Sequence, residues 1–146
     1  MKFPKQAVKL VNADIMSSCK YGSNPGLKFH TSQTGSGYDA QINPDGPNEW
    51  LLHGFGKGVL ALKWTNFIIT YHKDRGMCAY INGRLDTCAN ITRTRTLTPD
   101  NSIRCFILGY GTSILPENTI FYDDFAVWND VLEPADVKEI YTQGAK

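Results

Sequence analysis

Four cysteines, three histidines, one small basic patch and one strand-borne aspartate are the side chains of this 146-residue chain with chemistry to offer. The cysteines are Cys19, Cys78, Cys88 and Cys105. None stands in a C-x-x-C spacing and none has a histidine at zinc-finger distance, which argues against a zinc site. An even count permits two disulfides in three connectivities; the alternative is four buried thiols, because cysteine packs well in cores. Asn90-Ile91-Thr92, beside Cys88, is an N-glycosylation sequon and favours the disulfide reading. His30, His53 and His72 offer bases, but no Gly-x-Ser-x-Gly elbow accompanies them.

Alternation along a strand puts Arg93 and Arg95 on one face, with Arg84 and Arg104 nearby in sequence. Such a patch suits an acidic glycan; equally, it is the charge that protects an edge strand. Residues 121, 123, 125 and 127 of a strand share a face and read Phe, Asp, Phe, Val. Asp123 on that apolar face needs a partner, whether a cation or a backbone N–H. Trp50, Tyr38, Tyr110 and Tyr21 sit near turns, where an aromatic face can stack on a sugar. The alternative for each is a place in the core.

Turn residues punctuate the chain at 21–26, 34–37, 43–47, 74–76, 82–83 and 98–101, with short β-branched and aromatic runs between. That pattern predicts an all-β protein, an antiparallel sandwich or barrel. Strands are expected near 7–17, 26–31, 38–42, 49–53, 58–62, 66–73, 77–81, 84–88, 103–109 and 119–128. Asn82-Gly83 supplies two residues tolerant of positive φ, as a type I′ hairpin turn requires. In the simple two-residue register Tyr80 faces Leu85, and Cys78 and Cys88 fall on opposite faces. A Cys78–Cys88 bridge would then need a longer loop or a bulge, so the register argues against that pairing. Glu133 to Gly144 reads as one short helix: Pro134 suits its first position, Gly144 its stop, and Val137, Ile140 and Tyr141 form its apolar stripe.

Length fits one domain, with roughly 68% of the unfolded surface buried on folding. Fifteen basic against fourteen acidic residues leave a formal net charge of +1, which removes the electrostatic case for nucleic acid. No run approaches the ~18 apolar residues of a membrane span, so membrane insertion is not expected. Met1 to Gln6 lacks the apolar run of a secretory signal, so either the protein is cytosolic or its signal lies outside this sequence.

Residues 119–144 resemble the end of a laminin-G-like domain of the concanavalin A-like lectin/glucanase superfamily. The matching positions are Asp123, Asp124, Phe125, Val127, Trp128, Asn129, Leu132, Val137, Ile140, Tyr141 and Gly144. Upstream, Lys63 to Tyr71 resembles the family's Trp-led strand, and Tyr80 to Leu85 its Tyr-apolar-Asn-Gly hairpin. The resemblance runs from about residue 59 onward. It implies a jelly-roll β-sandwich with one short C-terminal helix, Trp64 and Trp128 in packing positions, and a structural calcium to which Asp123 contributes. The family's opening strand, which pairs beside the last one, has no counterpart before Val8. Residues 1–146 are thus read as one domain lacking its first strand or strands, which favours an oligomer or a multi-chain assembly.

Related glucanases carry paired carboxylates on a Glu-x-Asp-x-x-Glu strand. The glutamates here, Glu49, Glu117, Glu133 and Glu139, have no acidic partner two residues on, so no enzyme is expected. The sequence thus leads to an extracellular recognition or adhesion module that binds a glycan or a protein through Trp50, Tyr38, Tyr110, Arg93 and Arg95. The alternative is a structural subunit packing through its sheet edge.

Overall fold

A computed structural model describes residues 14–18, 26–31, 37–43, 50–57, 63–72, 74–89, 106–108 and 123–144. Within them lie eight strands, β1 (Asp14–Ser18), β2 (Gly26–Thr31), β3 (Tyr38–Asn43), β4 (Trp50–Phe55), β5 (Phe67–His72), β6 (Gly76–Ile81), β7 (Arg84–Ala89) and β8 (Phe106–Leu108), followed by helix α1 (Pro134–Gln143). The strands form two sheets whose pairings are antiparallel throughout. One has five strands in the order β4-β3-β2-β1-β8, the other three in the order β5-β6-β7. The all-β class with one short terminal helix is therefore as the turn spacing predicts. The strand expected near 58–62 lies outside the described residues. Residues 123–128, expected to end the last strand, are not a strand. The neighbour of β1 is instead β8.

The apolar residues of the two sheets meet in one cluster: Phe29, Ala40, Leu52 and Phe55 from the larger sheet against Met77 and Ala79 from the smaller. Its aromatic part is ordered by ring contacts. Phe29 stacks on Phe55 at 5.6 Å and tilts against Phe67 of the other sheet at 5.3 Å. Tyr38 meets Phe67 edge-on at 4.7 Å. Such offset and edge-to-face pairs add about 0.5–1.5 kcal/mol each beyond the area they bury. Alternation sends the intervening residues to the other face of the larger sheet, where His30 stands opposite Asp39 and Lys28 opposite Gln41. His30, Asp39 and Gln41 are buried there. His30 Nδ1 donates to Thr31 O at 2.8 Å, a direction fixed because a carbonyl only accepts. Asp39 Oδ1 accepts from Gly54 N at 2.8 Å, which ties β3 to the end of β4.

Helix α1 forms where its sequence signals place it. Glu133 is the N-cap, Pro134 the first helical residue, and Asp136 Oδ2 accepts from Glu133 N at 2.9 Å. Val137 is fully buried against Ile68 and Tyr80 of the smaller sheet, with Leu132 and Ile140 packed beside it. Burying one such side chain stabilises by about 1.5–3 kcal/mol. The helix therefore covers the face of the smaller sheet turned away from the main core. Arg75, in the β5–β6 turn, reaches Glu133 Oε1 at 3.1 Å from both terminal nitrogens. At the other end Tyr141 lies on Gly83 of the β6–β7 turn. The helix thus runs from one end of the sheet to the other.

Candidate functional site

The most constrained region is the end of the smaller sheet where β5 begins, β6 ends and β7 begins. Asn82 and Gly83 take φ of 49° and 74°, the left-handed pair that the Asn-Gly signal predicts. Tyr80 faces Leu85 and Ile81 faces Arg84, as that turn requires. Asn82 also fixes the approach to β5: its N donates to Asn66 O at 2.9 Å, and its Oδ1 accepts from Asn66 N at 2.9 Å. A Cβ on Gly83 would stand 2.9 Å from both Cβ and Cδ1 of Tyr141, so only glycine lets the helix sit this close.

One residue further along the hairpin, the ladder slips. Ala79 faces Thr87 but Tyr80 faces Leu85, which leaves Asp86 as the extra residue of a β-bulge. The bulge returns Cys78 to a position opposite Cys88, and the two form a disulfide with Cα atoms 4.1 Å apart. The expectation against this pairing is overturned. It assumed an unbroken two-residue hairpin register, whereas the inserted Asp86 shifts the strand by one residue. Asp86, itself exposed, accepts at Oδ2 from the N–H of the buried Gly56, just past the end of β4, at 2.8 Å.

Around this rigid end large apolar side chains stay in water. Trp64 is 62% exposed, Leu85 57% and Tyr141 47%. Trp64 lies two residues before the tethered Asn66, Leu85 two residues after Gly83, and Tyr141 on Gly83 itself. Lys63 and Arg84, which precede Trp64 and Leu85 in sequence, are also exposed. Exposed aromatic side chains beside a backbone held by hydrogen bonds can stack on the apolar face of a ligand.

The residues singled out from the sequence fare differently. Tyr38 sits in the aromatic cluster between the sheets, and burial pushes its phenol above the usual value. Trp50 begins β4 opposite Gln41. Tyr110, Arg93, Arg95, Asn90, Cys19 and Cys105 lie outside the described residues. Trp64 and Trp128, assigned to packing by the resemblance, are both exposed. Asp123 is exposed as well, and so are Phe125 and Val127 that were to bury it. The alternation argument fails because this segment is not a strand. Asp123 Oδ1 accepts from Asp124 N at 3.0 Å, and Asp124 takes a left-handed φ of 51°. Calcium takes six to eight oxygens. Among the described residues, Asp123 and Asp124 stand exposed side by side, which by themselves fall short of such an oxygen shell. Among the described residues no three His, Cys, Asp or Glu side chains gather.

Sequence reasoning missed Trp64 and Leu85 as surface residues, because a tryptophan or leucine in or beside a strand reads as core. Tyr141 carried a usable signal: it is at the margin of the helix stripe, four residues after the buried Val137. No helix among the described residues is long and apolar enough to cross a membrane. Antiparallel sheets with a shared apolar core and a C-terminal helix define the class of the chain. Compared with family models, with curated proteins and with solved structures, it matches none significantly.

Proposed function

We propose that the chain is a non-catalytic extracellular recognition module, a jelly-roll β-sandwich of laminin-G-like type, that binds a glycan at the Asn82–Gly83 end of its smaller sheet. One observation carries the reading: Trp64, Leu85 and Tyr141 are exposed around a turn that hydrogen bonds and close packing hold rigid. An aromatic platform that is already ordered loses little entropy on binding. Lys63 and Arg84 give the site a preference for acidic sugars. The Cys78–Cys88 disulfide supports an oxidising, extracellular setting. The test is a glycan array probed with the wild-type chain and with Trp64→Ala and Tyr141→Ala. The proposal expects an acidic-glycan signal that falls at least tenfold in Trp64→Ala. Equal binding by that variant, or no glycan bound at all, refutes it.

A second reading, a structural subunit of a larger assembly, draws on residues 123–128. Phe125 is 51%, Val127 69% and Trp128 41% exposed. Three large apolar residues exposed within four positions favour burial against a partner. Under this reading mass rises with concentration in native mass spectrometry, and Val127→Lys with Trp128→Lys abolishes the rise.

A further inference from the structure

We infer that Asn82 is a deamidation site that the fold holds shut, so that its conversion to aspartate and isoaspartate reports opening of the β6–β7 turn. Asn82-Gly83 is the one Asn-Gly pair in the chain. Asparagine is a thermolabile residue, and glycine puts no side chain in the way of its own backbone nitrogen. In the reaction Gly83 N gives its proton to water and attacks Asn82 Cγ. The Cγ–Nδ2 bond breaks, and Nδ2 takes up a proton and leaves as ammonia. The product is a five-membered succinimide ring of Cγ, Cβ, Cα, C and N. Water then opens the ring at either carbonyl. Opening at Cγ leaves aspartate; opening at the backbone carbonyl leaves isoaspartate, whose main chain runs through Cβ. One water is consumed and one ammonia released, with no oxidation or reduction.

The fold pulls the two reacting atoms toward opposite sides of β6. The smaller sheet runs β5-β6-β7, and Asn82 directly follows β6. Its Oδ1 accepts from Asn66 N and its N donates to Asn66 O, both at 2.9 Å. Asn66 directly precedes β5, so the carboxamide is drawn toward β5. Gly83 leads the chain the other way, into β7. Ring closure needs Gly83 N swung round to the Cβ side of Asn82, a rotation about the Cα–C bond of Asn82. The left-handed φ values of 49° and 74° hold the turn out of that arrangement. Tyr141 closes the space over Gly83, where an added Cβ would meet its Cβ, Cδ1 and Cγ at 2.9, 2.9 and 3.0 Å. The rotation therefore requires the turn to leave Asn66 and Tyr141 together, a local opening with its own free energy. The isoaspartate product lengthens the main chain of the turn by one methylene, so the turn does not close again on Tyr141.

The test ages the full chain at neutral pH and body temperature, folded in buffer and unfolded in guanidinium chloride. Reduction, alkylation and tryptic mapping then follow the peptide 76–84, which contains Asn82. Its aspartate and isoaspartate forms should accumulate at least about tenfold faster in guanidinium chloride than in buffer, an opening cost of about 1.4 kcal/mol or more. Tyr141→Gly removes all three atoms that crowd Gly83 and should raise the rate in buffer at least about threefold. Asn66→Pro removes the N–H that holds Oδ1 and should act in the same direction. Circular dichroism establishes which variants are folded. Equal rates in buffer and guanidinium chloride overturn the inference. So does a peptide 76–84 that stays unconverted in guanidinium chloride, or a folded variant that ages no faster than the wild type.

Discussion

Replacing Gly83 by alanine tests whether the helix and the β6–β7 turn are one unit. Two penalties act at this position. Gly83 has φ of 74°, in the left-handed region. That conformation costs an alanine roughly 1–2 kcal/mol. The new methyl would also stand 2.9 Å from Tyr141 Cβ and 3.0 Å from its Cγ. These atoms are the stem of the side chain, so no change of rotamer moves Cβ away and the helix itself must shift. Overpacking of this kind costs about 1–3 kcal/mol. The sum is about 2–5 kcal/mol, a large part of the 5–15 kcal/mol that stabilises an ordinary domain. At roughly 3 °C per kcal/mol for a chain of this size, Tm falls by about 6–15 °C. The assay is urea unfolding followed by circular dichroism, for Gly83→Ala in the wild-type and Tyr141→Gly backgrounds. The contact predicts a smaller loss in the second background, by at least about 1 kcal/mol. A loss below about 0.5 kcal/mol, the range of an ordinary surface substitution, or an equal loss in both backgrounds, refutes the close approach.

Asp86→Ala removes the acceptor of the buried Gly56 N–H and should cost about 1–3 kcal/mol, whereas Asp86→Asn, which keeps an acceptor oxygen, should cost less; equal losses in urea unfolding would contradict this. Changing both Cys78 and Cys88 to serine opens a loop with a sequence separation of 10 and should lower stability by about 2–3 kcal/mol at 25 °C, measured under non-reducing conditions. Arg75→Ala breaks an ion pair whose partners are both 57% exposed and should change stability by about 1 kcal/mol or less, the shift shrinking further in added salt. Tyr38 is raised above 10.0 by burial, and Tyr71 by burial and then by the Asp74 carboxylate. In both the folded state holds the phenol proton where the unfolded chain has released it. Their contribution to stability is therefore full below pH 10 and falls as pH rises above it, and Asp74→Asn should bring the Tyr71 transition down in an ultraviolet titration.

The local elements were legible in the sequence because short-range signals define them. Asn82-Gly83 specified a turn with two positive φ values, and the structure has both. Pro134, Asp136 and the Val137–Ile140 stripe specified the helix, which runs from Pro134 to Gln143. Strands at 26–31, 38–42 and 84–88 fell within one residue of β2, β3 and β7. In each case the backbone responds to its own side chains or to neighbours a few residues away.

What the sequence left open depends on atoms distant along the chain. Period-two alternation describes a regular ladder, so it could not foresee the extra residue Asp86, which bonds Gly56 just past β4 and brings Cys78 opposite Cys88. The same alternation turned Asp123 inward, whereas residues 123–128 join no sheet and Asp123 bonds its own neighbour. Composition marks Trp64 and Tyr38 alike as apolar aromatics, yet Tyr38 enters the cluster between the sheets and Trp64 stands in water. The sequence by itself determined the all-β class, the turns and the helix, through φ preference, capping and periodicity. Only the tertiary structure decided which faces are covered, because burial belongs to the surface that two elements share.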